Sequence, residues 1–210
     1  MNNHTATHLM YKALKYILGD HVNQAGSLVH PDYLRFDITH FEKITADQIK
    51  EIESIVNKQI LLNTKLDVTI KSVDDAKAAG AEALFGEQYG DEVRVVRIGD
   101  YSLELCGGTH VKQTGDIGSF KVTEEASLSS GVRRIVAITG QKAVEELQSN
   151  ATVLSILQQL LNTPPSGMAE RISILLQEKK DLGKKLKQKK NQSSSEIDLL
   201  SGSETVGDHT

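Results

Sequence analysis

Glu104-Leu105-Cys106-Gly107-Gly108-Thr109-His110-Val111 is the stretch on which the reading of this 210-residue chain turns. A thiol and an imidazole stand four positions apart across two glycines. Without a Cβ the glycines let the backbone turn tightly enough to bring both side chains to one point. Cys106 is the single cysteine of the chain, so no internal disulfide is available, and a lone intracellular cysteine is commonly just a small buried apolar residue. The pattern gains meaning from a second one near the other end of the domain, His4-Thr5-Ala6-Thr7-His8. Two histidines at i and i+4 of a helix share one face. Together the pairs supply His4, His8, Cys106 and His110, a set that suits one tetrahedral zinc ion per chain. A zinc-peptidase helix would carry glutamate directly after its first histidine as general base. Thr5 stands there instead, which counts against a peptidase.

Working outward from Cys106, Glu92 to Ile98 and Ser102 to Leu105 read as two strands of a hairpin about Gly99-Asp100. Ser119 to Glu124 and Val132 to Thr139 read as another strand pair, joined by a polar loop containing Gly131. Towards the N-terminus, Leu66, Val68 and Ile70 alternate as a strand, and Val73 to Ala83 reads as a short helix. Thr45 is the N-cap of a helix carrying Ile49, Ile52, Ile55, Val56 and Ile60, with Gln48 at the capping-box position. Gly26 to Val29 and Tyr33 to Ile38 are strands around a turn at His30-Pro31-Asp32. The first helix carries His8, Met10, Tyr11, Leu14, Ile17 and Leu18 and stops at Gly19. After Gly140 the pattern becomes purely helical, interrupted by Pro164-Pro165-Ser166-Gly167. The fold class is therefore α+β. Residues 1–140 are expected to form the α+β zinc domain, 141–191 a helical, coiled-coil-like hairpin, and 192–210, rich in Ser, Gly and acidic residues, a disordered tail.

The formal net charge of -4 does not by itself advertise a nucleic-acid binder. Its distribution is uneven: residues 1–140 hold 15 Lys+Arg against 19 Asp+Glu, whereas 168–190 hold eight basic and three acidic residues. That second stretch is either a surface for phosphate or a solvated helix face. No apolar run is long enough to cross a bilayer and no signal peptide is visible, so no membrane partner is expected and the cytoplasm is the default location.

The residues in and around the two His/Cys motifs resemble the editing domain of alanyl-tRNA synthetases. Gly26-Ser27-Leu28-Val29, Leu34-Arg35-Phe36-Asp37, Ala83-Leu84-Phe85-Gly86-Glu87, Tyr89-Gly90-Asp91, Thr114-Gly115-Asp116-Ile117-Gly118 and Gly131-Val132-Arg133-Arg134-Ile135 agree with it in order and separation. The likeness covers roughly residues 3 to 150 closely and the helical part to about 190 loosely. Threonyl-tRNA synthetases and free-standing alanyl editing proteins share the two-part motif, but the wording Cys106-Gly107-Gly108-Thr109-His110 favours the alanyl enzyme. The resemblance departs at Val136, where the family commonly has an acidic residue. Neither the aminoacylation domain nor the glycine-rich barrel that leads into the first zinc helix is expected within this chain.

The resemblance implies an editing fold like that of threonyl and alanyl enzymes, zinc on His4, His8, Cys106 and His110, and hydrolysis of Ser-tRNA(Ala) and Gly-tRNA(Ala) made in error. It also implies that Gln24 shapes the editing pocket. Gln24 and Cys106 are the candidate catalytic residues. Thr5, Ser27, Gly107, Gly108 and Arg133 are the candidates for contact with substrate or tRNA: Thr5 or Ser27 as a partner for a serine hydroxyl, the glycine amides for an oxyanion, and Arg133 or Arg134 for phosphate. Neighbouring strand residues face opposite ways, so at most one of the two arginines should face the pocket. Self-association through the C-terminal helices is a further expectation. The competing reading is a non-catalytic tRNA-binding or assembly module with a structural zinc.

Overall fold

The computed structural model describes residues 1–82 and 91–201, with side chains described up to residue 189. It divides into two units, Met1–Gln148 and Ser149–Thr210.

The first unit begins with helix α1, Asn2–Leu18, ended by Gly19 at φ 112°. Strands β1, Gln24–Val29, and β2, Leu34–Thr39, follow. Helix α2, Ala46–Leu61, starts on the expected cap: the Thr45 hydroxyl accepts from the Gln48 amide and the Gln48 side chain accepts from the Thr45 amide. Then come β3, Leu66–Ser72; α3, Val73–Ala78; β4, Glu92–Ile98; and β5, Ser102–Leu105. A 3-10 turn at Thr114–Ile117 leads to β6, Phe120–Ser129, and β7, Val132–Thr139. All strand pairs are antiparallel, in a four-stranded sheet ordered β1-β2-β7-β6 and a three-stranded sheet ordered β3-β4-β5. Gly131 makes the β6–β7 turn at φ 74°, a region open to residues without a Cβ.

One apolar core unites the larger sheet with the two long helices. Leu34, Phe36 and Ile38 of β2 and Ile135 and Ala137 of β7 are buried together with Leu9, Met10, Ala13 and Leu14 of α1 and Ile52, Val56 and Ile60 of α2. The i, i+3, i+4 spacing of the helical residues and the i, i+2 spacing of the strand residues each produce one apolar face, and burying both is the main stabilising term. A smaller cluster of Ala76, Val93, Val95 and Leu105 joins α3 to the three-stranded sheet.

Helix α4, Gly140–Leu161, starts in the first unit, where Ala143 is buried. Pro165–Gly167 forms a short 3-10 turn and α5 runs from Met168 to Ser201. The domain boundary expected at 140 thus falls inside a regular element, at residue 148.

Three expectations are corrected here. The helix expected to reach Ala83 stops at Ala78, because Gly80 takes φ 82° and the chain turns back to pair Glu82 with Glu104. Strand β6 runs past Glu124 to Ser129, its polar end held by β7. Helix α5 continues through 192–201, which had been assigned to the tail. Residues 202–210 and the motif stretch 83–90 lie outside the described residues.

Candidate metal centre

The two sequence motifs meet. His4 and His8 sit on one face of α1, and Cys106 and His110 flank the turn that leaves β5. Their donor atoms all lie within 4.8 Å of one another. Cys106 Sγ is 3.4 Å from Nε2 of His4 and 3.3 Å from Nε2 of His110. A tetrahedral zinc with Zn–N near 2.0–2.1 Å and Zn–S near 2.3 Å needs donors roughly 3.3–3.6 Å apart. The three imidazoles crowd to centroid separations of 4.5 to 5.3 Å. His8 Nε2 is buried with no hydrogen-bond partner among the described residues. A buried ring nitrogen left unpaired is costly unless something occupies the space it faces. The borderline-soft donor set, its spacing and this orphaned nitrogen all fit a zinc-sized cation.

Charge is arranged for the same purpose. Burial disfavours the Cys106 thiolate, but the hydrogen bonds from His110 and His4 and the charge of nearby His8 outweigh it and take the thiol down to about 3. Burial likewise disfavours a charged His8, yet Cys106 and Glu104 outweigh it and raise that imidazole to about 10. Burial lowers His110 below its ordinary value, with only partial opposition from Cys106. The cluster therefore presents a thiolate, the form that binds metal.

Several residues hold the donors in place. Arg94 donates to the carbonyl of Cys106 at 3.3 Å and to that of Gly108, fastening the turn from β4. Gly108 is required by space: a Cβ there would lie 1.8 Å from Cε1 of His4. At Gly107 a Cβ would meet nothing within 4 Å. The Glu104 carboxylate, 4% exposed, takes the Nδ1 side of His8 through Oε2 and the Ser102 hydroxyl through Oε1 at 2.6 Å. Asn3 ties down the start of α1, donating to the carbonyls of His30 and Pro31 and accepting from Thr139. The sequence reading passed over Glu104, Ser102 and Arg94 as site residues. Their signal was strand alternation: Ser102 and Glu104 are polar residues on the same face of a strand whose next outward step is Cys106.

His4, His8 and Cys106 of the cluster face a cavity of about 390 Å³, lined also by Thr7, Tyr11, Gln24, Ser27, Phe36, Glu104, Gly107 and Gly108. Gln24 and Ser27 reach it together although their numbers differ in parity. Regular alternation would send them to opposite faces, but the register shifts between Gln24 and Gly26 and re-aims the strand end. The amides of Gly107 and Gly108 donate to no acceptor among the described residues.

Two candidates are placed elsewhere. Thr5 is 0% exposed; its hydroxyl meets Nδ1 of His110 at 3.1 Å and accepts from the Val111 amide at 3.2 Å, so it supports a ligand and does not line the cavity. Arg133 is bound to Glu125, Nε to Oε1 at 2.6 Å, with side chains 12% and 8% exposed. Arg134 grips Asp37 through two bonds of 2.8 and 2.9 Å. Both arginines are occupied in ion pairs of the larger sheet, and neither lines the cavity.

Residues 93–136 match the family described as the threonyl and alanyl tRNA synthetase second additional domain. The chain is 50% identical to an alanine--tRNA ligase of Alkaliphilus oremlandii over 207 residues, 98% of this chain and 24% of the relative. It is 52% identical over 188 residues to that of Fervidobacterium nodosum, 90% of this chain and 22% of the relative. It is 47% identical over 186 residues to that of Pseudoalteromonas translucida, 89% and 21% respectively. The chain thus spans about a quarter of the length of the curated relatives it matches. Along nearly its whole length it is similar to one segment of alanine--tRNA ligases, and within that match residues 93–136 fit the second additional domain.

Proposed function

We propose that this chain is the editing part of an alanine--tRNA ligase, which hydrolyses the ester of Ser-tRNA(Ala) and Gly-tRNA(Ala) at a zinc site. The observation that carries the reading is the cavity lined by three members of the four-donor cluster, His4, His8 and Cys106, together with Gln24, Ser27 and the Gly107-Gly108 turn. Its volume is in the range that holds a small ligand, here an aminoacyl ester on a terminal ribose. An apolar aminoacylation pocket made for alanine cannot strongly reject serine, so a second, hydrolytic site is needed. Polar groups that pair with the serine hydroxyl make such a site selective, because an alanyl ester leaves them unpaired. Gln24 and Ser27, which both line the cavity, are the proposed partners.

His4, His8, Cys106 and His110 would hold the zinc, which when bound supplies a Lewis acid at this wall of the cavity. The Gly107 and Gly108 amides, which line the cavity and donate to no acceptor among the described residues, would serve as donors to the negative charge that develops on the ester oxygen, each such donor being worth about 10²–10³ in rate. The basic stretch of α5, eight cationic residues against three acidic between 168 and 190, supplies contacts to the tRNA backbone. The exposed apolar side chains Leu154, Leu157, Ile172, Leu175 and Leu182 of α4 and α5 provide a surface for self-association. No described helix is long and apolar enough to cross a membrane, and tRNA as substrate places the work in the cytoplasm.

Four protein donors also make a closed shell of the kind common in structural zinc sites. That favours, as a second reading, a tRNA-binding module whose zinc only shapes the fold. Deacylation of Ser-, Gly- and Ala-tRNA(Ala) by the zinc-loaded chain, with and without chelator, separates the two. Hydrolysis faster on the seryl than on the alanyl ester, abolished by Cys106→Ala with tRNA binding retained, supports editing. A zinc-loaded chain that binds tRNA but leaves Ser-tRNA(Ala) intact over hours favours the binding module.

A further inference from the structure

We infer that Glu104 is a positioning residue of the metal centre: through its bond to Nδ1 it commits His8 to bind the ion by Nε2, and its carboxylate neutralises the bound cation. The inference rests on the zinc reading above. Three observations carry it. Oε2 of Glu104 lies against Nδ1 of His8, so that ring edge must hold the proton and donate it. Ser102 donates its hydroxyl proton to Oε1 at 2.6 Å, which leaves the carboxylate acting as acceptor on both oxygens. The other ring nitrogen, Nε2, is buried and unpartnered among the described residues, with Cys106 and His110 close by.

In the neutral ring that binds an ion, the chain of contacts Ser102, Glu104, His8 therefore ends on the electron pair of Nε2, among the other donors. A neutral imidazole has one donor and one acceptor nitrogen, and fixing one fixes the other. A carboxylate behind a ligating histidine also makes the ring a stronger donor. Charge is the second part. A divalent ion on one thiolate and three neutral imidazoles carries one net positive charge inside the protein. Glu104, as buried as His8 and Cys106, removes it, and a desolvated charge left unbalanced is costly. The geometry of β5 makes this possible, because Ser102 and Glu104 stand on one face two residues apart and Glu104 reaches α1 across the sheet edge.

The test uses Glu104→Gln, which keeps size and an acceptor oxygen but removes the charge. Zinc and cobalt(II) affinities are read by competition with a chromophoric chelator, beside the cobalt absorption spectrum and the thermal midpoint of metal-free protein. The expected result is a 10- to 100-fold weaker affinity for both ions, a shifted cobalt spectrum, and a lower metal-free midpoint, since the buried His8–Glu104 pair is broken. Ser102→Ala should weaken affinity by less, since only the outer contact is lost. Wild-type affinity and spectrum in Glu104→Gln would overturn the inference while Cys106→Ala still abolished binding, leaving the zinc reading intact. If wild type and Cys106→Ala bound metal equally, the zinc reading itself would fail and the inference with it. Should Glu104→Gln not fold, histidine-15N NMR of the wild type decides: a zinc-loaded His8 carrying its proton on Nδ1 supports the assignment, and one ligating through Nδ1 overturns it.

Discussion

If the cluster holds zinc as proposed, replacing Gly108 by alanine should weaken that binding while leaving the fold nearly untouched. The added Cβ would sit 1.8 Å from Cε1 and 2.4 Å from Nδ1 of His4, far inside contact distance. Gly108 has no left-handed φ, so the backbone accepts alanine without strain. The turn is held by Arg94 on the carbonyls of Cys106 and Gly108. His4 is only partly buried. The imidazole is therefore what moves, and the set loses one of its four donors. Structural zinc sites bind with about 10–16 kcal/mol, roughly 2.5–4 kcal/mol per ligand if shared equally among four. At about 1.4 kcal/mol per factor of ten, losing His4 weakens zinc by two to three orders of magnitude. Gly107→Ala is the control, since its Cβ would touch nothing within 4 Å. Chelator competition gives the affinities, and thermal unfolding with and without zinc shows whether the loss is confined to the metal-bound state. Equal zinc affinity in the two variants would refute the claim that Gly108 exists to admit His4.

Other outcomes follow from the same contacts. In metal-free protein the Cys106 contribution to stability is complete above its ordinary value of 9.0 and lost as pH falls through about 3, while that of His8 is complete below 6.5 and lost as pH rises through about 10. The difference in urea midpoint between wild type and Cys106→Ala should thus be flat from pH 6.5 to 9.0 and shrink on both sides. Thr5→Val leaves His110 and the Val111 amide without their shared hydroxyl, and chemical denaturation should show a loss of about 1–3 kcal/mol together with weaker zinc binding by competition. Thr45→Ala removes one half of the α2 capping box and should lower stability by about 0.5–2 kcal/mol, with zinc affinity unchanged.

The parts of the fold that follow local rules were readable in the residues. The Thr45–Gln48 cap, the Gly99-Asp100 hairpin, the Gly131 turn and the stop at Gly19 are each decided by a few neighbouring side chains. The donor set was readable because two i, i+4 pairs need little more than a helix and a glycine turn to present themselves. What was missed depends on register or on partners distant in sequence. Gln24 and Ser27 share the cavity only through a strand irregularity that no alternation pattern reveals. Thr5 looked like a polar group for substrate, but its hydroxyl is spent on His110, 105 residues away. Arg133 looked like a phosphate ligand until Glu125, across the β6–β7 pair, was seen to occupy it. Composition misled at 192–201, where Ser and Gln resemble a tail yet the helix continues.

The donors come from two segments about a hundred residues apart, and that separation bears on what the centre does. His4 and His8 belong to the helix packed against the larger sheet, whereas Cys106 follows a strand of the smaller one. Closing the cluster therefore joins the two sheets through α1, and Asn3 anchors the same helix to the β1–β2 turn and the end of β7. The cavity is bounded on one side by β1 and β2, through Gln24, Ser27 and Phe36, and on the other by the cluster and its glycine turn. A metal that only stapled the sheets would need no cavity against its ligands and no orphaned amides on the turn. A metal that only met substrate would need no ligand buried as deeply as His8, 4% exposed. The same ion holding the two walls at a set distance satisfies both observations, since the width of the pocket is then fixed by the coordination sphere itself. Loss of zinc should on this view widen the pocket before it unfolds the chain, and selectivity for seryl over alanyl ester should fall at zinc levels where the far-ultraviolet circular dichroism is still that of the loaded protein. Selectivity and secondary structure lost together along a chelator titration would remove the argument.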